Sequence, residues 1–567
     1  MLLQMFATDQ VPKKKYVVVV VVLAFAAPFP ETATDLLRDY CQGGASRLTH
    51  RVKETVRRNK KTKTRRPGEP PLEAGWIPFL GVALDYGRNP LAFLRETEKK
   101  CGKAFTCKIA GKYFTFITDP FSFPAVVRQG KNLDFQKFAI GFSQRVFGHA
   151  DFTAPAYTSS YREVHSLFRQ TLQGSSLTEL TESILGNLQA VLRQNLPQGE
   201  DWEEEGLQDF SYRIMFEAGF LTLFGQEVGM LEKGDNRSAQ ANPCMRQVAH
   251  DFLVFDHAFP KMAAGLPIHL CVRAWLAREA LAEKFHHVRL QRHQSISALI
   301  KRRMDAFDSM QLDERGKART HVCMLWASQA NTLPTAFWSL YHMLSSPEAL
   351  REARAEVDRV LEQPGDPDQP ISISREQLDS MVVLGSIIEE ALRLSSASIM
   401  IRVANEDSTI TLDSGDTAAI RKGDYIALYP QLIHMDPEIY PNPTEFQFDR
   451  FLDNAGQRRS LFYKNGRRLK HFLVPFGSGV SECPGRFFAV CEIKIFLALV
   501  LWHYDLELGH SNTPLTTDCT RAGLGILPPT QDVLLRYRVR PRASTSDTCK
   551  KEQHGEGDSD ETVELTE

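Results

Sequence analysis

Phe476-Gly-Ser-Gly479-Val-Ser-Glu-Cys483-Pro-Gly485-Arg-Phe487 is the stretch whose reading decides the fold of this chain. Its cysteine lies between two glycines and directly before a proline. Glycine reaches backbone conformations closed to other residues, so Gly479 and Gly485 can bring amide N–H groups close to the sulfur. Pro484 is expected to open a helix, and a helix N-terminus favours negative charge. Phe476 supplies an apolar ring to pack beside the sulfur and exclude water. A thiolate that is aimed, dry and stabilised in this way suits a metal, and the metal it suits is a haem iron with Cys483 as its axial ligand. Such a ligand pushes electron density onto iron and favours O–O cleavage.

On the C-terminal side of this loop the apolar spacing is helical from Phe487 to Tyr504. On the N-terminal side, Glu390-Ala-Leu-Arg393 places an acid and a base three apart on one helical face, where they can pair. Phe448-Asp-Arg450-Phe451 follows in an extended, proline-rich segment. Glu390, Arg393 and Arg450 together read as a buried network bracing the core on the haem side. Further out, Lys103 to Thr118 has β-branched and aromatic residues around Gly111-Lys112, which predicts a hairpin. Ile410 to Leu428 predicts short strands, and Ser159 to Leu344 is mostly helical in its spacing. The expected fold class is mainly α with a small β region, in one large haem-binding catalytic domain.

The bulk properties narrow the function classes. The chain has 567 residues and a formal net charge of −1, which gives no general pull toward nucleic acid. Its ten cysteines are scattered and include no CxxC pair, so neither a disulfide framework nor a zinc site is expected. Residues 1–66 read as an anchor or targeting segment followed by a basic one. The apolar run Tyr16–Ala27 is shorter than the roughly twenty residues of a membrane span, so a spanning helix and a cleaved signal both remain open. Arg51 to Arg66 holds nine Lys or Arg and one acid, a composition suited to anionic lipid headgroups. Pro67-Gly-Glu-Pro-Pro71 breaks the chain and starts the catalytic domain, taken as 67–542. A tail over 543–567, rich in Ser, Thr, Asp and Glu, is expected to be disordered and acidic.

With these residues in place, the chain resembles a cytochrome P450: FxxGxxxCxG at Phe476–Gly485, ExxR at Glu390–Arg393, and the later arginine at Arg450. The likeness runs from about Arg65 to Arg540. In detail it is similar to the sterol 7α- and 12α-hydroxylase branch of that family. The strings that carry it include RRPGEPPLEAGWIPFLG (Arg65–Gly81), LWASQANT (Leu325–Thr332), LRLSSAS (Leu392–Ser398) and RAGLGILPP (Arg521–Pro529). The resemblance implies haem b as cofactor, O2 and NADPH-derived electrons as co-substrates, and NADPH–cytochrome P450 reductase as partner. It also implies a sterol substrate and an endoplasmic reticulum membrane location with the catalytic domain facing the cytosol. The implied activity is hydroxylation of cholesterol at the 7α position, the first step of bile acid synthesis from sterol. Oxysterol 7α-hydroxylation and sterol 12α-hydroxylation are the near alternatives.

Residue roles follow from the same likeness. Most relatives carry an acid and then a threonine in the central helix, and the corresponding catalytic positions here are Ala330 and Asn331. An amide donates and accepts but cannot titrate. That suits the sterol branch, and it also resembles prostacyclin synthase, an endoperoxide isomerase that needs no reductase. A haem-binding sensor without turnover is a third reading. Haem propionates need cationic partners, for which Arg169, Arg402 and His165 are the candidates. Ser481 replaces the Arg or His usual two residues before the cysteine. Trp326, Ser398 and Leu524 are the candidate sterol contacts, and Trp326 fits plain core packing equally well.

Overall fold

The computed structural model describes residues 66–541 apart from Pro78, Thr153, Pro155, Ala156 and residues 196–200, 228–242, 362–369 and 510–514. The side chains of residues 158–162, 165, 195 and 243 also fall outside the description. So do the expected anchor and basic segment up to residue 65, and the expected acidic tail.

The predicted hairpin forms. After β1 (Leu72–Glu73), β2 (Ala104–Ile109) and β3 (Lys112–Ile117) pair antiparallel, turning at Ala110 and Gly111, both with positive φ. With β4 (Leu133–Asp134), β5 (Met400–Ala404) and β6 (Tyr425–Leu428) they make one sheet, in the order β1-β2-β3-β6-β5-β4. β3 and β6 run parallel with Phe114 opposite Tyr425, and the two rings stack at 4.8 Å. All five residues of β5 are buried, including Arg402. A strand that buries a guanidinium has a reason beyond packing.

The remainder is mainly helical. The helices that matter for the site are α1 (Ser175–Asn195), α2 (Leu207–Phe224), α3 (Pro243–His257), α4 (Glu314–Gln329), α5 (Thr332–Ser345), α6 (Val382–Ser395) and α7 (Arg486–His503). α2 and α7 are apolar on nearly every face, as helices enclosed by others must be. α1, α2, α5, α6 and α7 share one continuous core, which also takes in Tyr504 and Tyr537 from a three-stranded sheet near the C-terminus.

α4 and α5 would be one long helix but for Pro334. Proline has no N–H, so the Ala330 carbonyl loses its helical donor and the helix breaks at Ala330 and Asn331. It restarts at Thr332 with Pro334 in the first turn, where a missing N–H costs little. The break turns Ala330 and Asn331 toward different surroundings.

Candidate active site

The loop before α7 is shaped by glycines, though not the pair expected. Gly477 and Gly479 have φ of +73° and +66°. A methyl at Gly479 would fall 2.5 Å from Val127 Cγ1, so the loop lies tight against the short helix Phe123–Val127. Gly485 has an ordinary φ of −86°, and its missing side chain gives space rather than conformational freedom: an added methyl would sit 4.0 Å from the Cys483 sulfur. The helix begins at Arg486 with Gly485 as its cap, so Pro484 lies in the turn before the helix and does not open it. The Cys483 N–H donates to the Phe476 carbonyl at 2.8 Å. Burial pushes the Cys483 thiol up, while the amides of Gly485 and Arg486 hydrogen-bond to the sulfur and the Arg486 charge favours the thiolate. A bound metal overrides the burial term, because a coordinated thiol is deprotonated outright.

The sulfur opens on a cavity of about 460 Å³, within the size range of small-molecule sites. The structure brings Cys483, Phe476, Gly485, Asn331, Ser398 and Leu524 together in its walls. Ala330, Trp326, Arg169, Gly479 and Arg402, also predicted from sequence, do not line it. Ala330 is buried in the main core. Trp326 stacks on Phe259 at 3.9 Å and donates Nε1–H to Asp256 at 2.8 Å, so its role is packing. Arg169 is exposed in the last turn of the helix Thr158–Thr171, between the cavity-lining residues Phe168 and Leu172. The His165 side chain lies outside the described residues.

Arg402 stands just behind the wall. It is 2% exposed, donates to the Ser481 hydroxyl at 2.5 Å, and makes no ion pair among the described residues. Burial holds its guanidinium down to about 10. A buried, unpaired charge is costly unless an anion arrives to meet it. A haem propionate is such an anion, so the residues present fit that cofactor: a sulfur in the cavity, an apolar ring beside it, and a buried guanidinium at the edge. Ser481, read from sequence as a missing contact, serves as an acceptor that orients Arg402.

The network under the site is fully buried. Arg393 pairs with Glu390 through two hydrogen bonds of 2.7 Å, and Arg450 Nε reaches the same carboxylate at 2.8 Å. The spare guanidinium hydrogens go to the carbonyls of His434, Pro443 and Pro441 at 2.6 to 2.8 Å. These carbonyls lie at the end of the short helix Gln431–His434 and in the turns that follow it on the way to the cysteine loop. The two arginines thus tie that stretch to α6.

Asn331 caps nothing with its side chain. Its Oδ1 accepts the Ile526 backbone N–H at 2.9 Å, and its amide nitrogen makes no hydrogen bond among the described residues. Glu492 was missed by sequence reading. It lies on α7, lines the cavity, and accepts from the Thr332 hydroxyl at 3.3 Å. Burial raises it to about 8 with no cation nearby, so it holds a proton at neutral pH. The signal was available: only Glu492 and Lys494 interrupt the apolar run from Phe487 to Trp502. Lys494 is satisfied by the Leu378 carbonyl at 2.8 Å, which leaves Glu492 as the unexplained charge.

Comparison with known proteins gives one family, Cytochrome P450, matched over residues 70–535. The chain is 47% identical to "Cytochrome P450 7A1" of Oryctolagus cuniculus and 46% identical to "Cholesterol 7-alpha-monooxygenase" of Cricetulus griseus. Each alignment covers 84% of this chain and 95% of the relative. Identity to the "7-alpha-hydroxycholest-4-en-3-one 12-alpha-hydroxylase" of Homo sapiens is 36%, over 84% of this chain and 95% of that protein.

Proposed function

The chain belongs to the cytochrome P450 family, and we propose that it is a haem-thiolate monooxygenase that hydroxylates cholesterol at the 7α position. The observation that carries this reading over its rivals is the drop in identity from the 7-alpha-monooxygenase relatives to the 12-alpha-hydroxylase. The apolar cavity agrees with it, since a sterol is a rigid apolar body with one hydroxyl.

When bound, the haem with O2 and NADPH-derived electrons supplies the oxidising chemistry that places one oxygen atom into a C–H bond. Cys483 would hold its iron through the sulfur, which the amides of Gly485 and Arg486 restrain. Arg402, steadied by Ser481, would take a propionate, and Arg169 is proposed for the second. Phe476 shields the sulfur from water. Asn331 offers one amide N–H pair to the cavity and cannot supply a proton. Among the described residues of the wall Glu492 is the only carboxyl, and with Thr332 it forms a place where a proton can be held. Ser398 and Leu524 stand where the sterol would lie.

The electron donor proposed is NADPH–cytochrome P450 reductase, and the location proposed is the endoplasmic reticulum membrane with the catalytic domain toward the cytosol. No helix among the described residues is long and apolar enough to cross a membrane. Support comes instead from the basic stretch before the domain and from Leu270, Val272 and Leu276, each more than half exposed. The proposed domain runs 67–542.

Purified protein with reductase and NADPH, given cholesterol, 27-hydroxycholesterol and 7α-hydroxycholest-4-en-3-one in turn, is expected to give 7α-hydroxycholesterol from the first. Product from the third alone would assign it as a 12α-hydroxylase, and turnover of an endoperoxide without electrons would make it an isomerase. Reduced protein under carbon monoxide should show the red-shifted thiolate Soret band, lost in Cys483→Ala.

A further inference from the structure

The loop Arg521–Leu527 forms one wall of the cavity through Gly523, Leu524, Gly525 and Ile526. Leu524 is its one large side chain that projects between two glycines, and both glycines have positive φ, +93° and +131°. A leucine with a glycine on each side has little of its own to fix where it points. Its position must come from what holds the ends of the loop. Ala397 exchanges hydrogen bonds with Gly523 and Gly525, one on each side of Leu524, at 2.7 and 2.9 Å; beyond them Asn331 takes the Ile526 N–H at 2.9 Å, and Trp338 Nε1–H reaches the Leu527 carbonyl at 2.7 Å.

Where the loop begins, at Arg521, the further hold is a charged side chain. The Leu524 N–H closes a turn onto the Arg521 carbonyl at 3.0 Å. The Arg521 side chain is 6% exposed and donates to Asp256 Oδ2 at 2.6 Å, its only carboxylate partner among the described residues, and more weakly to the Asp256 backbone carbonyl at 3.3 Å. The other oxygen of Asp256 accepts Trp326 Nε1–H at 2.8 Å, and Trp326 lies flat on Phe259. One carboxylate on α3 therefore joins α4 and the loop, although neither Asp256, Arg521 nor Trp326 lines the cavity.

We propose that Asp256 is a specificity-determining positioning residue, which through Arg521 sets where Leu524 stands in the cavity and so which carbon of a bound sterol is presented. This rests on the reading of the chain as a sterol hydroxylase. A pair that merely stabilised the fold would be replaceable by apolar residues of like volume. A pair that aims a side chain is not, because it is the geometry of the hydrogen bonds that is used. The amide of Asp256→Asn keeps the acceptor for Trp326 and loses the charge that holds Arg521, leaving it only the longer contact to the backbone carbonyl of residue 256.

The test uses the full-length haem-loaded protein with reductase, comparing wild type with Asp256→Asn and Leu524→Ala. Both variants are expected to give a mixture of monohydroxylated sterols from cholesterol, with the 7α share down about tenfold relative to the others and total turnover reduced less than that. Spectral titration with cholesterol and two oxysterols should show the preference among them flattened in Asp256→Asn. If Asp256→Asn melts earlier yet keeps the wild-type product ratio and sterol preference, the pair is structural and the proposal is overturned. Should Asp256→Asn fail to fold, Leu524→Ala decides alone, and an unchanged product ratio there overturns it too. Wild type giving no 7α product would sink the assigned reaction; the sterol preferences of the variants then still decide the positioning role.

Discussion

Asn331 and Ile526 are 195 residues apart in sequence and joined by one hydrogen bond, from the Ile526 backbone N–H to the Asn331 Oδ1 at 2.9 Å. The bond ties the break in the central helix to the loop on the other side of the cavity. It also leaves no room at Gly525, where an added methyl would come within 2.1 Å of that oxygen.

Removing either partner should therefore loosen the same wall. Asn331→Ala leaves a buried N–H unpaired and is expected to cost about 1–3 kcal/mol. Gly525→Ala adds a clash and a strained φ to that loss, so it should cost more. Because they share one contact, the double variant should lose less than the sum of the two. Urea denaturation of the three haem-loaded proteins measures all of this.

Arg402 should govern how firmly the cofactor is kept. Arg402→Leu removes the guanidinium that awaits a propionate and is expected to speed haem loss roughly tenfold, whereas Arg402→Lys should lie between. Transfer of haem to an apo-globin, followed by absorbance, gives the rates. Equal rates in all three proteins would remove Arg402 from the cofactor's contacts.

Glu390 holds two buried arginines. Glu390→Gln leaves both without a countercharge and is expected to cost on the order of 3–5 kcal/mol. The readout is the yield of folded protein showing the thiolate Soret band. An apolar substitution of all three residues is the informative control, because it removes the unpaired charges together.

Glu492 gives a pH signature. Its folded value of about 8 lies above the ordinary 4.5, so the folded state holds the proton over the window between them while the unfolded chain has released it. Its contribution is complete below about 4.5 and disappears as pH rises through about 8. At about 1.4 kcal/mol per pH unit, wild type should lose about 5 kcal/mol relative to Glu492→Gln over that window. Denaturation at a series of pH values checks it; parallel curves for the two proteins would refute it.

What was legible in the sequence was chemistry that is rare by type. A cysteine among glycines, an acid and a base in an apolar helix, and an arginine soon after two prolines each stand out against a plain core, and they led to Cys483, Glu390, Arg393 and Arg450. The hairpin at Lys103–Thr118 was legible because alternation is a local property. Trp326 and Ala330 came from likeness to relatives and not from any local pattern, and the structure instead packs Trp326 on Phe259 and Ala330 in the main core. The contact of Arg402 with Ser481 escaped for another reason. It joins a sheet strand to a loop 79 residues later, and no local pattern encodes such a meeting.

The fit of Gly479 against Val127 bears on how the protein is made. A ribosome adding about 5–20 residues per second delivers Gly479 some twenty seconds to a minute after Val127. Until then the helix that backs the cysteine loop has nothing to back. The cofactor pocket is thus completed only once both the early helix and the later loop have been made, however soon its other walls have folded.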